Sequence, residues 1–187
     1  MIGAITAGLY AGGVPPVTNS YESIATVTVG SGGSSSISFT SIASTYKHLQ
    51  IRYNFAVDTN DRVYRMRFNS DSGSNYAFHE LAGNGSSATT YAATSSTGID
   101  GGYNYTASGF STSYFTGGIM DVLDYANTSK YKTTRALDGI DFNGSGRVTL
   151  HSGLWQSTSA VSSITLIPFT NGSFVQNSSF ALYGIKG

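Results

Sequence analysis

Carboxylates, histidines and hydroxyl nucleophiles are the residues here that could do chemistry. Asp121/Asp124 and Asp138/Asp141 each stand three apart, and in a strand that spacing turns the two side chains to opposite faces. Neither pair converges by local geometry on one bond, as glycoside hydrolysis between two carboxyls requires. They read as turn and strand-end aspartates. His48, His79 and His151 have neither the i,i+4 helical nor the i,i+2 strand spacing that gathers zinc ligands, and there is no cysteine to complete a site. His79 and Glu80 are adjacent, so in a strand they point oppositely. A serine nucleophile needs a strained elbow of the G-x-S-x-G type followed by a helix. Asn143-Gly144-Ser145-Gly146 reads instead as a turn.

Asp58-Thr59-Asn60-Asp61 offers oxygen ligands for calcium but lacks the glycine and terminal glutamate of an EF-hand loop. It reads as an Asx turn. Asn-x-Ser/Thr triplets begin at Asn84, Asn104, Asn127, Asn143, Asn171 and Asn177. In a chain this rich in Asn, Ser and Thr they read as turn chemistry, not as glycan acceptors. Trp155, the one tryptophan, reads as a core or subunit-interface anchor. The expectation is a non-enzymatic protein with no catalytic residue, no cofactor and no metal site.

Composition narrows the partners. Charged residues make up 11% of the chain and the formal net charge is zero, against about 25% charged in ordinary domains. Arg62, Arg65 and Arg67 are the only basic cluster, and Asp58 and Asp61 offset it. No basic field exists to steer phosphate, so nucleic acid is not an expected partner. A surface of Ser, Thr, Asn and Gly with interspersed aromatics suits a protein packed in an assembly or facing a glycan-covered surface. Without cysteine, stability must come from core burial and from oligomerisation.

The elements that must position these residues read as strands. Leu49, Ile51, Tyr53 and Phe55 alternate with Gln50, Arg52 and Asn54, the period of a half-buried strand. Tyr21–Val29 and Ser35–Thr40 flank Gly30-Ser31-Gly32-Gly33, which predicts a hairpin. After the turn at 58–61, Val63–Asn69 runs back with Tyr64, Met66 and Phe68 on one side and Arg65 and Arg67 on the other. Asn75–Leu81, Ile119–Tyr125, Lys132–Leu137 and Val148–Trp155 are further strands, with turns at Asn127-Thr128-Ser129, Asp138-Gly139 and 143–146. At the end, Ile164 and Leu166, then Phe180 and Leu182, alternate on either side of Thr170-Asn171-Gly172-Ser173, which predicts a closing hairpin tied into the sheet. Eight to ten short strands punctuated by Gly, Asn and Asp predict an all-β, two-sheet antiparallel sandwich, best a jelly roll, over 17–187.

Two stretches stand apart. Met1–Pro16 is an uncharged arm whose Ile2, Ile5 and Leu9 share a helix face, weakened by Gly3, Gly8, Gly12 and Gly13. It is too short and apolar-poor for a membrane span or a secretory signal, so membrane insertion is not expected. It reads as a docking arm offering Ile2, Ile5, Leu9 and Tyr10 to another subunit. Residues 83–118 have almost no aliphatic side chains but carry Tyr91, Tyr103, Tyr105, Phe110, Tyr114 and Phe115. They read as a long loop with one short strand near Ser111–Phe115. Tyrosine contact area among Ser, Gly and Asn is the make-up of an adaptable binding surface.

Tyr125–Thr133 (YANTSKYKT), Asn143–Gly146, Ser152-Gly153-Leu154-Trp155, the ending Ser179–Gly187 (SFALYGIKG) and Tyr46–Arg52 together resemble a group of structural proteins of tailed bacteriophages. The group is frequent among marine and cyanobacterial phages and comprises virion, fibre and decoration proteins. The resemblance covers most of the chain and brings no catalytic residues. It implies a jelly-roll-like domain, a homotrimer, displayed on the virion surface and bound to other capsid or tail proteins. A capsid decoration, cement or head-fibre role is the first expectation. A tail-fibre domain binding host surface polysaccharide is the alternative.

Overall fold

The computed structural model describes residues 19–59, 61–104, 113–169 and 171–187, with only the backbone at 61, 62, 103 and 104. The arm, with Ile2, Ile5, Leu9 and Tyr10, lies outside them, as do Tyr105 and Phe110.

Alternating apolar residues build the strands that make the core. In β3 (His48–Phe55) and β4 (Asp61–Phe68), Leu49, Ile51, Phe55, Tyr64, Met66 and Phe68 are all fully buried. Ile164 and Leu166 of β11 (Ile164–Pro168) and Phe180 and Leu182 of β12 (Ser179–Ile185) join them. Each such side chain contributes about 1.5–3 kcal/mol by leaving water. Tyr53 of β3 packs edge-on against Tyr64 of β4, with ring centres 5.3 Å apart, so aromatic faces as well as area hold the two sheets together.

All strands pair antiparallel in two sheets. One runs β1 (Tyr21–Thr28), β12, β3 and β8 (Thr116–Leu123) and continues through β9 (Lys132–Asp141), β10 (Gly146–Trp155), β5 (Tyr76–Gly83) and β6 (Ala88–Ser96). The other runs β2 (Ile37–Phe39), β11, β4 and β7 (Ile99–Asn104). With the β5–β6 and β9–β10 hairpins set aside, each successive strand lies in the opposite sheet except β7, which pairs with β4, and β1-β12-β3-β8 faces β2-β11-β4-β7. That is the strand order of an eight-stranded jelly roll. The two extra hairpins pair through β5 and β10 and extend one sheet beyond the other.

This alternation corrects two expected hairpins and the expected run back after β3. Gly32 and Gly33 do turn the chain, at φ of 99° and 76°, but β1 pairs with β12 while β2 pairs with β11. The corner after β3 likewise carries the chain across to β4, in the other sheet. The 171–173 turn, with Asn171 at φ 54°, joins β11 to β12 across the sandwich. Local turn chemistry fixes a reversal of direction, whereas burial of both apolar faces decides which strand is met.

Residues 83–118 are not one long loop, since they contain all of β6 and β7. Of the expected strand at Ser111–Phe115, residues 113–115 are not in a strand, and β8 starts at Thr116. Asp138-Gly139 is not a turn either, because both residues lie inside β9 opposite β8 and β10. Turn chemistry is borne out at Asn84, Asn127, Asn143, Asn171 and Asn177 of the Asn-x-Ser/Thr triplets, whereas Asn104 ends β7. Asn143 and Asn177 sit at φ 58° and 70°, and Asn84 Oδ1 accepts the N–H groups of Ser86 and Ser87 at 3.0 and 2.8 Å.

Candidate functional site

The large sheet overhangs the small one, so the inner faces of β5, β6 and β10 continue past the edge strand β7. Tyr76, Phe78 and Glu80 of β5 share that inner face, as do Arg147, Thr149 and His151 of β10, because alternate residues of a strand point the same way. Phe78 is covered by the sandwich. Tyr91 of β6, opposite Glu80, projects beyond the small sheet and is 60% exposed. A cleft of about 350 Å³ results, with Val63, Asp100, Gly101 and Gly102 on the small-sheet side and Phe78, Glu80, Tyr91 and Arg147 opposite. Phe169, just after β11, closes one end and is 43% exposed.

The cleft joins flat apolar surface to paired charges. Tyr91 leans on Phe78 with ring centres 5.8 Å apart. The Arg65 guanidinium lies 4.7 Å from the centre of Phe169 and donates to both Asp100 oxygens at 2.7 and 2.8 Å. Asp100 thereby holds Arg65 more firmly charged than an isolated guanidinium. Across the cleft, Arg147 donates to Glu80.

Behind Glu80 a chain of polar groups leads into the core. His151 Nδ1 is 4.0 Å from Glu80 Oε2, and its Nε2 is 2.8 Å from Asp138 Oδ2. Asp138 accepts the Tyr53 hydroxyl and, at 3.4 Å, the Gly102 N–H. Tyr53 and Tyr64 hydroxyls meet at 3.0 Å. Burial, and then the neighbouring hydroxyl and carboxylate, push the Tyr53 phenol well above its ordinary value. Burial and Asp138 do the same to Tyr64. Both phenols stay neutral donors, and the chain is a structural strut that holds the wall of the cleft.

Of the side chains expected to form a binding surface, Tyr91 lines this cleft. Tyr114 instead packs edge-on against Phe142 at 5.1 Å. Phe115 lines a different, open cavity of about 610 Å³ beside the β9–β10 turn. The two cavities share only Arg147. Tyr103 is placed on β7 by its backbone alone. Asp100, Arg147 and Phe169 were not singled out from sequence, and Glu80 only as the neighbour of His79. A signal for Glu80 was present: it occupies the same face as Tyr76 and Phe78, where alternation calls for an apolar residue. Asp138 shows the same conflict, since it is buried on the inner face of β9 and is not a strand-end aspartate.

Trp155 is a core anchor. It stacks on Tyr76 at 6.3 Å and donates its indole N–H to Asp71 at 2.7 Å. His79 points outward, opposite to Glu80. Asp58 Oδ1 accepts the Ser173 N–H at 2.7 Å, an Asx contact that ties the two corners together. Among the described residues no group of three or more His, Asp or Glu side chains could hold a metal ion, and no helix is long and apolar enough to cross a membrane.

A second surface lies on the outer face of the same overhang. Ile119, Leu137, Leu150 and Leu81 stand directly opposite one another on β8, β9, β10 and β5. Leu137, Leu150, Leu81 and the adjacent Val148 are all about half exposed. Gly83, Gly139 and Gly117 flank Val148 in the next row, so this part of the sheet is flat and uncharged. Fold and surfaces together define a jelly-roll protein with an inter-sheet cleft and an apolar outer strip. Comparisons with family models, with curated proteins and with solved structures found no match.

Proposed function

We propose that this is a non-enzymatic structural protein of a tailed-phage particle: a surface-displayed jelly roll of the capsid decoration, cement or head-fibre kind. In this reading it assembles with copies of itself as a homotrimer and docks on other virion proteins through its N-terminal arm. Sequence likeness to phage structural proteins supports the setting. The observation that carries the assembly is the apolar row Ile119–Leu137–Leu150–Leu81 with Val148 beside it. Its half-exposed side chains offer roughly 300–400 Å² of apolar surface, comparable to the largest patch that a monomer leaves open and often functional. A second copy fits it best. The strip is flat and without charge, and its border holds the Asp121–Arg135 pair at 2.8 Å, which together make the apolar centre and polar rim of a protein interface.

Light scattering after size exclusion tests the assembly on the full chain. Wild-type protein should elute at a multiple of its 19.6 kDa chain mass. Leu150→Glu, which alters only an outward side chain, should elute at one chain mass with unchanged circular dichroism. A monomeric wild type, or an unchanged multimer in the variant, overturns the reading.

A second reading, a receptor-binding domain of a tail fibre that recognises host surface polysaccharide, is favoured by one observation. Tyr91 and Phe169 stand exposed in a cleft that also presents carboxylates and a guanidinium.

A further inference from the structure

We propose that the cleft between the β5–β6–β10 overhang and the β4–β7 edge is a carbohydrate site that binds neutral pyranose units of a polysaccharide without cleaving them. The inference deepens the receptor-binding reading by assigning it a place, a ligand class and a limit on its chemistry.

Three features point to sugar. The first is shape: at about 350 Å³ the cleft is at the small end of ligand sites, enough for one or two sugar rings. The second is its apolar surface. An exposed Tyr91 backed by Phe78 is a stiff, flat platform against which the C–H face of a pyranose can pack, while the phenol hydroxyl stays wet. The third is the polar complement. A sugar hydroxyl both donates and accepts, and Glu80 beside Arg147 presents an acceptor and donors side by side. On the opposite wall Asp100 adds a second acceptor, neutralised by Arg65 behind it.

Charge selects among sugars. The two carboxylates and two guanidinium groups cancel, so the cleft has no net attraction for uronates, sialic acids or phosphosugars, nor for amino sugars. The same pairing limits the chemistry. Hydrolysis needs one of the two carboxyls as a proton donor. Glu80 and Asp100 are each engaged by an arginine, so neither carboxyl is free to sit against a glycosidic oxygen as that reaction requires. The site is therefore built to hold, and the arginines on Glu80 and Asp100 fix both carboxylates before ligand arrives.

The test is a glycan array with the full chain, carrying neutral, anionic and amino oligosaccharides of bacterial surface polysaccharides. Isothermal titration with the best neutral oligosaccharide and a reducing-end assay on it follow. Wild type should bind neutral glycans. Tyr91→Ala, at an exposed position that folding does not need, should lose about tenfold or more in affinity, whereas Leu150→Glu should bind each site as wild type does. Binding confined to charged glycans, no binding on the array, equal affinity in Tyr91→Ala, or release of reducing ends each overturns the proposal. Failure of the assembly reading would appear separately, in the light-scattering mass.

Discussion

Asp138→Asn keeps the size of a buried side chain and removes its charge, which makes it a sharp probe of the strut behind the cleft. Tyr53 keeps an acceptor, either the remaining amide oxygen or the Tyr64 hydroxyl 3.0 Å away. What goes is the carboxylate oxygen 2.8 Å from His151 Nε2, which also accepts the Gly102 N–H. Leaving buried polar groups without their partner costs about 1–3 kcal/mol, which places Asp138→Asn toward the upper end of that range. His151→Gln should cost about 1–3 kcal/mol, the value of an unmade buried hydrogen bond. The double variant should cost less than the sum by at least about 1 kcal/mol, because residues in one network couple. Urea unfolding followed by the fluorescence of Trp155, the single, buried tryptophan, measures all three. Additivity within about 0.5 kcal/mol would mean that Asp138 and His151 do not interact, and the strut would be wrong.

Two further predictions concern the surface and the arm. Hydrogen bonds from Lys130 and then Lys47 bring Asp124 down to about 2. Its folded pKa is thus below the unfolded value of about 3.9, so it stabilises the fold above pH 4 and that gain is lost as pH falls through about 2. Because both lysines are largely exposed, Asp124→Asn should cost only about 1 kcal/mol at pH 7. Urea midpoints should converge between wild type and variant near pH 2, and a gap of constant size would count against the ion pairs. Deleting residues 1–13 should leave a folded domain that no longer co-sediments with phage particles; full co-sedimentation of the truncated chain would rule out docking by the arm.

Strand faces were legible wherever apolar residues alternate without interruption. Leu49, Ile51, Tyr53 and Phe55 announced β3, and Tyr64, Met66 and Phe68 announced β4 with its arginines turned out. Pairing was not legible. Hairpin signals reward neighbours in sequence, while a jelly roll pairs the first strand with the last, and nothing in Tyr21–Thr28 names Ser179–Ile185 as its partner. β6 escaped because its outward and inward residues are alike small or polar (Ala88, Thr89, Thr90, Ala92, Ala93), since almost nothing covers either face. The cleft escaped for a related reason. Its walls come from five strands and the segment after β11, and only Tyr91 and Asp100–Gly102 belonged to a stretch whose composition attracted notice. Asp138-Gly139 has the composition of a turn, and only the requirement to satisfy Tyr53 and His151 explains an aspartate in mid-strand.

The pairing of β1 with β12 has a consequence for how the molecule can be presented. Tyr21 lies opposite Ile185, and the Lys186 N–H donates to Ser20 at 3.0 Å, so the described chain enters and leaves along one margin of the large sheet. Tyr91 stands on the opposite margin, on β6, the eighth strand in order. Seven steps of about 4.8 Å put it roughly 34 Å away across the sheet. A tether placed at residue 19 would therefore act as a foot, with the cleft at the far end as a head. A label fused after residue 187 would crowd the foot and leave the head clear.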